Sequence, residues 1–182
     1  MSEDQRNNLK FRIFALAWSG ILVLIIFPGL ATWGSLLIDS FFGLPTILPF
    51  PINIIIGIII WIPGFFWSIW ANLDLFRQGK GSPVPLKDSE TRILVIKGPY
   101  KYCRNPMIFG HVLIWVGFGF FFNSYTLLLG FSLLIAIILI IFVKTWEEKD
   151  LENRFGDTYR DYKNKISFIF PLPPKSQEKR WY

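Results

Sequence analysis

Residues 107–143 read MIFGHVLIWVGFGFFFNSYTLLLGFSLLIAIILIIFV. Two apolar runs, Met107–Phe122 and Thr126–Val143, flank the turn signal Asn123-Ser124, and no Asp, Glu, Lys or Arg interrupts either. A helix on the surface of a soluble domain keeps a polar face. These runs keep none. They read as a tight helical hairpin crossing a bilayer, for which about 20 apolar residues suffice. Toward the N-terminus, Ile52 to about Phe76 and Phe11 to Ile38 are two more apolar runs, each with a single charge near one end, Asp74 and Arg12. A break is expected at Pro63-Gly64 and a kink at Pro28-Gly29, because proline removes a backbone bond and crowds the preceding turn. The expected fold is an all-α integral membrane protein of about four transmembrane helices, with a cytoplasmic loop and a C-terminal amphipathic interfacial helix.

Composition agrees. A chain of 182 residues that is 52% hydrophobic and 18% aromatic is more apolar than a soluble domain of that size, which must cover a large surface. The charges fall in patches. No Lys or Arg occurs between Arg12 and Arg77, or between Arg104 and Lys144. All 19 lie in the N-terminal segment, the 77–106 segment and the part after the fourth span, and none lies in Asp39–Pro51 or Asn123–Tyr125. The positive-inside rule then places both termini in the cytoplasm. Topology and attraction to anionic lipid explain the net charge of +6 better than nucleic-acid binding does. Met1–Lys10 is polar and the apolar run after it is long, so no cleavable signal peptide is expected. The single Cys103 excludes an internal disulfide and a multi-Cys zinc site, and the single His111 excludes a His-rich centre. No metal is expected.

Nearly all residues able to do chemistry lie between Arg77 and Lys165. RQGKGSPVP (77–85) reads as a loop. Ile93–Ile96 is a short β-rich stretch ended by Gly98-Pro99, and Asn105-Pro106 suits the start of the third span. Beyond the fourth span, Leu151, Phe155, Tyr159, Tyr162 and Ile166 form one apolar stripe, expected to lie on the membrane, with Gly156 as a candidate break. Glu147-Glu148 stands where that span leaves the bilayer, with Lys144 in i, i+4 reach of Glu148. The plain reading of that pair is a solvated helix end. The functional reading turns at least one carboxylate back under the 92–108 loop to accept hydrogen bonds from ribose hydroxyls or to face a cationic cofactor. His111 lies one turn into the third span, where an ionisable group is a functional candidate, although a neutral ring bonded within the helices is the plainer reading. The many Trp residues suit an interface belt or packing.

GPYKYCRNPM, followed after the hairpin by EEKDLENRFGDTYRDYK, resembles the isoprenylcysteine carboxyl methyltransferase and phospholipid methyltransferase superfamily. Its pattern runs Gly-x-Tyr, Arg-His/Asn-Pro-x-Tyr, Glu-Glu, Phe-Gly-x-x-Tyr-x-x-Tyr, and GKGSPVP looks like the Gly-x-Gly-Thr-Pro-x-Pro segment of bacterial members. The likeness covers about residues 77–171. It implies an N-terminal two-span unit over 1–76, a methyltransferase-like region over 77–171 and a polar tail over 172–182. It also implies S-adenosyl-L-methionine as cofactor, held by Arg92, Ile93, Leu94, Val95, Tyr100, Asn105, Pro106, Met107, Glu147 and Glu148. Arg104 aligns with the family's arginine and is the catalytic candidate. Asn105 stands where eukaryotic members have His, and Ile108 where the pattern has Tyr, with Phe109 as a substitute for stacking. The implied activity is methyl transfer to a lipid-like or small thiol or carboxylate acceptor, at the membrane and without nucleic acid or metal. Such a displacement gains mainly from positioning, which suits a chain poor in acid–base residues. Two rivals are a nicotinamide-dependent lipid reductase relative, for which the chain is short, and a non-enzymatic scaffold.

Overall fold

The computed structural model describes residues 26–79 and 93–173. Arg92, residues 11–25 of the first apolar run, most of the 77–85 loop and nearly all of the polar tail lie outside them. The regular structure among the described residues is helical, with α1 at Phe27–Phe41, α2 at Ile52–Gln78, α3 at Pro106–Phe121, α4 at Thr126–Phe155 and α5 at Asp157–Lys165. The β-rich Ile93–Ile96 forms no strand; the extended pairing present is an isolated parallel bridge between Cys103 and Ser167. Helices α2 and α4 are long and apolar enough to cross a membrane, with mean hydropathies of 2.1 and 3.1, and α3 is a shorter apolar helix.

One expectation about breaks needs correcting. Helix α2 runs unbroken through Pro63, whereas the kink expected at Pro28-Gly29 falls at the edge of the described residues, which begin at Ile26. Gly64 has another use. Gly57, Gly64 and Ala71 recur every seven residues on the buried face of α2, and Gly110 and Gly117 do so on α3. A Cβ on Gly64 would lie 2.8 Å from the Gly110 carbonyl oxygen, and one on Gly117 would lie 3.0 Å from that of Gly57. The two antiparallel backbones therefore touch. In lipid, apolar contact between helices brings no hydrophobic gain over contact with acyl chains, so close approach at small residues holds the pair. Gly110→Ala, whose Cβ would sit 2.6 Å from the Gly64 carbonyl oxygen, is expected to cost about 1–3 kcal/mol by overpacking. Thermal unfolding in detergent measures it, with Gly29→Ala, which meets nothing within 4 Å, as the neutral control.

The end of the bundle that lacks cations is tied by polar side chains. Asp39 Oδ1 accepts from the Thr126 amide (3.0 Å) and hydroxyl (2.5 Å), placing an acid at the start of α4. Asn123, with φ 58°, bridges to the α1–α2 loop: its Oδ1 accepts from the amides of Ile47 (2.8 Å) and Leu48 (3.0 Å). This is the expected turn, and it fixes the hairpin.

Helix α4 contains two π-turns, Thr126–Phe131 and Val143–Glu147. In the first, the Ser132 hydroxyl donates to the Leu127 carbonyl five residues back (3.0 Å). The second lies at the foot of the apolar run and carries Glu147 toward the Tyr100 turn. The C-terminal stripe is likewise not one helix: Gly156, at φ 53°, separates α4 from α5.

Candidate functional site

Across the bundle from Asn123, the ends of α2 and α4 and the start of α3 meet around a 3-10 turn, Gly98–Lys101. Gly98 adopts φ 59°, and a side chain there would collide with the Asp74 carboxylate of α2. Only glycine meets both demands. The turn delivers Tyr100 to the interior, where it packs with Ala71 and Val95 against Leu75 and Met107. Its hydroxyl donates to the Ala71 carbonyl at 3.4 Å. Burial raises the Tyr100 pKa, and the nearby Glu147 and Asp74 carboxylates raise it further. Glu147 and Tyr100, 47 positions apart in the chain, therefore feel each other's charge.

A C-terminal strap closes this end. Tyr162 donates its hydroxyl to the Tyr100 carbonyl at 2.7 Å, so the Tyr159/Tyr162 stripe packs inward, both rings buried, where the sequence suggested a membrane-facing surface. The Tyr159 hydroxyl is pushed up to about 12, by burial and then by Glu148. Past α5, the chain runs along the Cys103–Asn105 turn. The Arg104 amide donates to Ser167 O (2.9 Å), the Leu172 amide to Tyr102 O (3.0 Å), and Asn105 gives both its amide (3.2 Å) and Nδ2 (2.9 Å) to Phe168 O. Asn105 is thereby occupied by backbone, while Pro106 opens α3 and is buried beside Met107.

The two glutamates have different fates. Glu148 is buried; Oε1 meets Arg104 Nη1 at 2.6 Å and Oε2 meets Lys163 Nζ at 3.0 Å. Lys163 also reaches Glu152 at 2.9 Å, and both acids raise its pKa, Glu152 more. The expected Lys144–Glu148 pair does not form. The π-turn between them alters the i, i+4 register, and Lys144 lies over the Phe168 ring at 5.1 Å. Arg104, the catalytic candidate, faces Phe168 at 5.3 Å and pairs with Glu148, which leaves little of its charge for an acceptor. Glu147 stands outside this cluster: the residue is exposed in part, but burial of its carboxyl raises its pKa, with the nearby Arg154 guanidinium acting in the opposite sense.

The remaining candidates divide. Ile93 is exposed, Leu94 half-buried and Val95 buried, with backbone that pairs into no strand. Phe109 meets Trp67 edge-on at 5.6 Å and is engaged within the protein, while Ile108 is buried. Sequence reasoning missed Asp74, Tyr162, Lys163 and Phe168 as parts of this end. The two aromatics and the lysine come from a segment whose periodicity announces an apolar face without naming what covers it. Asp74 had a visible signal, being the acid at the end of an apolar run.

No metal-holding group of three His, Cys, Asp or Glu occurs among the described residues. No curated protein matches the chain. A sequence profile described as phospholipid methyltransferase matches residues 52–158, taking in α2, the 3-10 turn, α3, α4 and the start of α5. That match spans more than half of the chain and contains the glycine seam, the Tyr100 turn and both glutamates; the chain belongs to the phospholipid methyltransferase family of membrane methyltransferases.

Proposed function

We propose that the chain uses S-adenosyl-L-methionine to methylate a lipid-like or other small acceptor at the cytoplasmic face of the membrane, with all four apolar runs as spans and both termini inside. The observation that carries this reading is the contrast between the two glutamates. Glu148 is neutralised by direct ion pairs with Arg104 and Lys163, while the Glu147 carboxyl stands outside that cluster, close enough to the Tyr100 turn to raise the Tyr100 pKa, and is itself held up by burial. A carboxylate whose charge burial disfavours gains from a cofactor with ribose hydroxyls and a positive sulfonium, since hydrogen bonds to a charged group are the stronger kind. The 93–96 backbone, unpaired in any strand, suits the edge of an adenine ring. The residues therefore fit the group. When bound, it supplies an electrophilic methyl carbon on a good leaving group.

The chain's own part is to hold and orient. Glu147 binds the cofactor, with Ile93, Leu94 and Val95 lending backbone; Arg92, also a candidate from the resemblance, lies outside the described residues. Tyr100 and Asn105 fix the floor through their bonds to α2 and the strap, with Pro106 buried and Met107 packed against the Tyr100 cluster. Arg104 and Glu148 hold the loop to α4. The acceptor arrives from the bilayer, whose acyl chains the exposed apolar faces of α2 and α4 match.

Mass spectrometry after incubating the full chain with isotopically labelled methyl donor and host lipid extract tests the proposal. A labelled methyl group is expected in an extractable small molecule, and its absence from every fraction would count against methyl transfer.

A further inference from the structure

The positioning scheme above gives a ligand role to one carboxylate, and a second one touches the same turn. Asp74 is the only acid of α2. It stands near the C-terminal end of that helix, where the dipole disfavours negative charge. Gly98 fixes its direction. The Asp74 carboxylate occupies the place that a side chain at 98 would take, and Trp70 Nε1 lies 3.4 Å from the same point. One turn earlier on α2, the Ala71 carbonyl accepts the Tyr100 hydroxyl. The half-buried Asp74 therefore lies alongside the Gly98–Lys101 turn.

The ion pairs among the described residues engage Glu148, Asp150, Glu152 and Asp157, and none engages Asp74. Lys101, in the turn itself, has its Nζ over the Tyr102 ring at 4.8 Å. The surroundings of Asp74 are aromatic instead. The Trp70 ring lies 5.6 Å from that of Trp67 and 6.5 Å from that of Tyr102, centre to centre. A carboxylate beside aromatic rings suits a small organic cation, through charge-assisted hydrogen bonds and attraction to the ring faces. Burial, then Glu147, then Asp74 raise the Tyr100 pKa, so both acids act on one turn.

We propose that Asp74 is a second cofactor-binding residue and receives the α-ammonium of the amino-acid end of S-adenosyl-L-methionine, while Glu147 serves the ribose and sulfonium. This rests on the methyltransferase reading above. The cofactor carries two positive groups, and the turn carries an acid on the α2 side and another on the α4 side. An ammonium has three hydrogens to donate and no acceptor of its own, so a carboxylate is its strongest partner. The same two acids repel the phosphates of a nicotinamide dinucleotide.

The test compares two ligands by calorimetric titration of the full chain in lipid nanodiscs. One is S-adenosylhomocysteine; the other is its des-amino analogue, in which hydrogen replaces the α-ammonium and the ribose, thioether and carboxylate remain. Wild type is expected to prefer S-adenosylhomocysteine by about tenfold to a hundredfold, the worth of a hydrogen bond between charged groups. Asp74→Asn, nearly identical in shape, is expected to weaken S-adenosylhomocysteine by that factor and leave the analogue unchanged, which abolishes the preference. Glu147→Ala is expected to weaken both ligands and keep it. Asp74→Ser, which only removes atoms beside Gly98, repeats the comparison if Asp74→Asn does not fold. No preference in wild type overturns the assignment. So does a preference retained in the Asp74 variants, whether both affinities fall together, as a purely structural role would have it, or neither moves. Failure of wild type to bind either ligand overturns the methyltransferase reading itself.

Discussion

Glu148→Ala is expected to lower stability by about 3–5 kcal/mol, because it strands a buried guanidinium. The Arg104 and Glu148 side chains are 11% and 7% exposed and meet at 2.6 Å. Arg104 Nε already lacks a hydrogen-bond partner, so losing the contact through Nη1 leaves the cation with the neutral Tyr159 hydroxyl and the Phe168 ring in place of a carboxylate. Replacing both partners should be milder than replacing either one. Removing a buried pair together forfeits the attraction but also the desolvation that opposes it. The double variant Arg104→Met/Glu148→Met is accordingly expected to be more stable than Arg104→Met or Glu148→Met alone. Lys163→Met removes only the outer, partly solvated partner and is expected to cost under about 1 kcal/mol. Denaturant unfolding in micelles of one composition measures all five variants. A double variant less stable than both singles would show that the pair is not an isolated unit.

Glu147→Ala is expected to do the reverse: little to the fold and much to the ligand. It lies outside the Arg104–Glu148–Lys163 cluster and burial already works against its charge, so unfolding should shift by less than about 0.5 kcal/mol. Affinity for S-adenosylhomocysteine should fall about tenfold to a hundredfold, the worth of one or two hydrogen bonds to a charged group. Calorimetric titration reads this directly. Equal affinity in the two proteins would remove Glu147 from the site. The adjacent glutamates thus provide an internal control, since the buried one is predicted to govern stability and the exposed one binding.

Much of this architecture is legible in the order of the amino acids. The uncharged runs mark the helices, and Asn123-Ser124 marks the turn of the hairpin, because a transmembrane helix tolerates few charges and a tight reversal needs a residue able to adopt positive φ. What local pattern could not supply is partnership across long separations. Tyr159 and Tyr162 show an apolar stripe, but periodicity cannot tell whether lipid or protein covers it; the answer lies in the Tyr100 carbonyl, 62 residues from Tyr162. Glu148 has Lys144 four residues before it, yet the π-turn alters that register and Arg104 takes the charge. Gly64 beside Pro63 suggests a break, although its seven-residue spacing from Gly57, matched by Gly110 and Gly117, was a readable sign of a packing seam. The convergence of the Tyr100 turn with the glutamates came from the motif resemblance, since nothing in spacing alone joins residue 100 to residue 147.

The central claim is that the Tyr100 turn and the Glu147 turn of α4 together form a site for a sulfonium cofactor. Titrating the full chain in nanodiscs with S-adenosylhomocysteine and, separately, with NADPH tests it most directly. The account predicts saturable one-to-one binding of S-adenosylhomocysteine at micromolar concentration and none of NADPH. Binding of NADPH instead, or of neither, would contradict it.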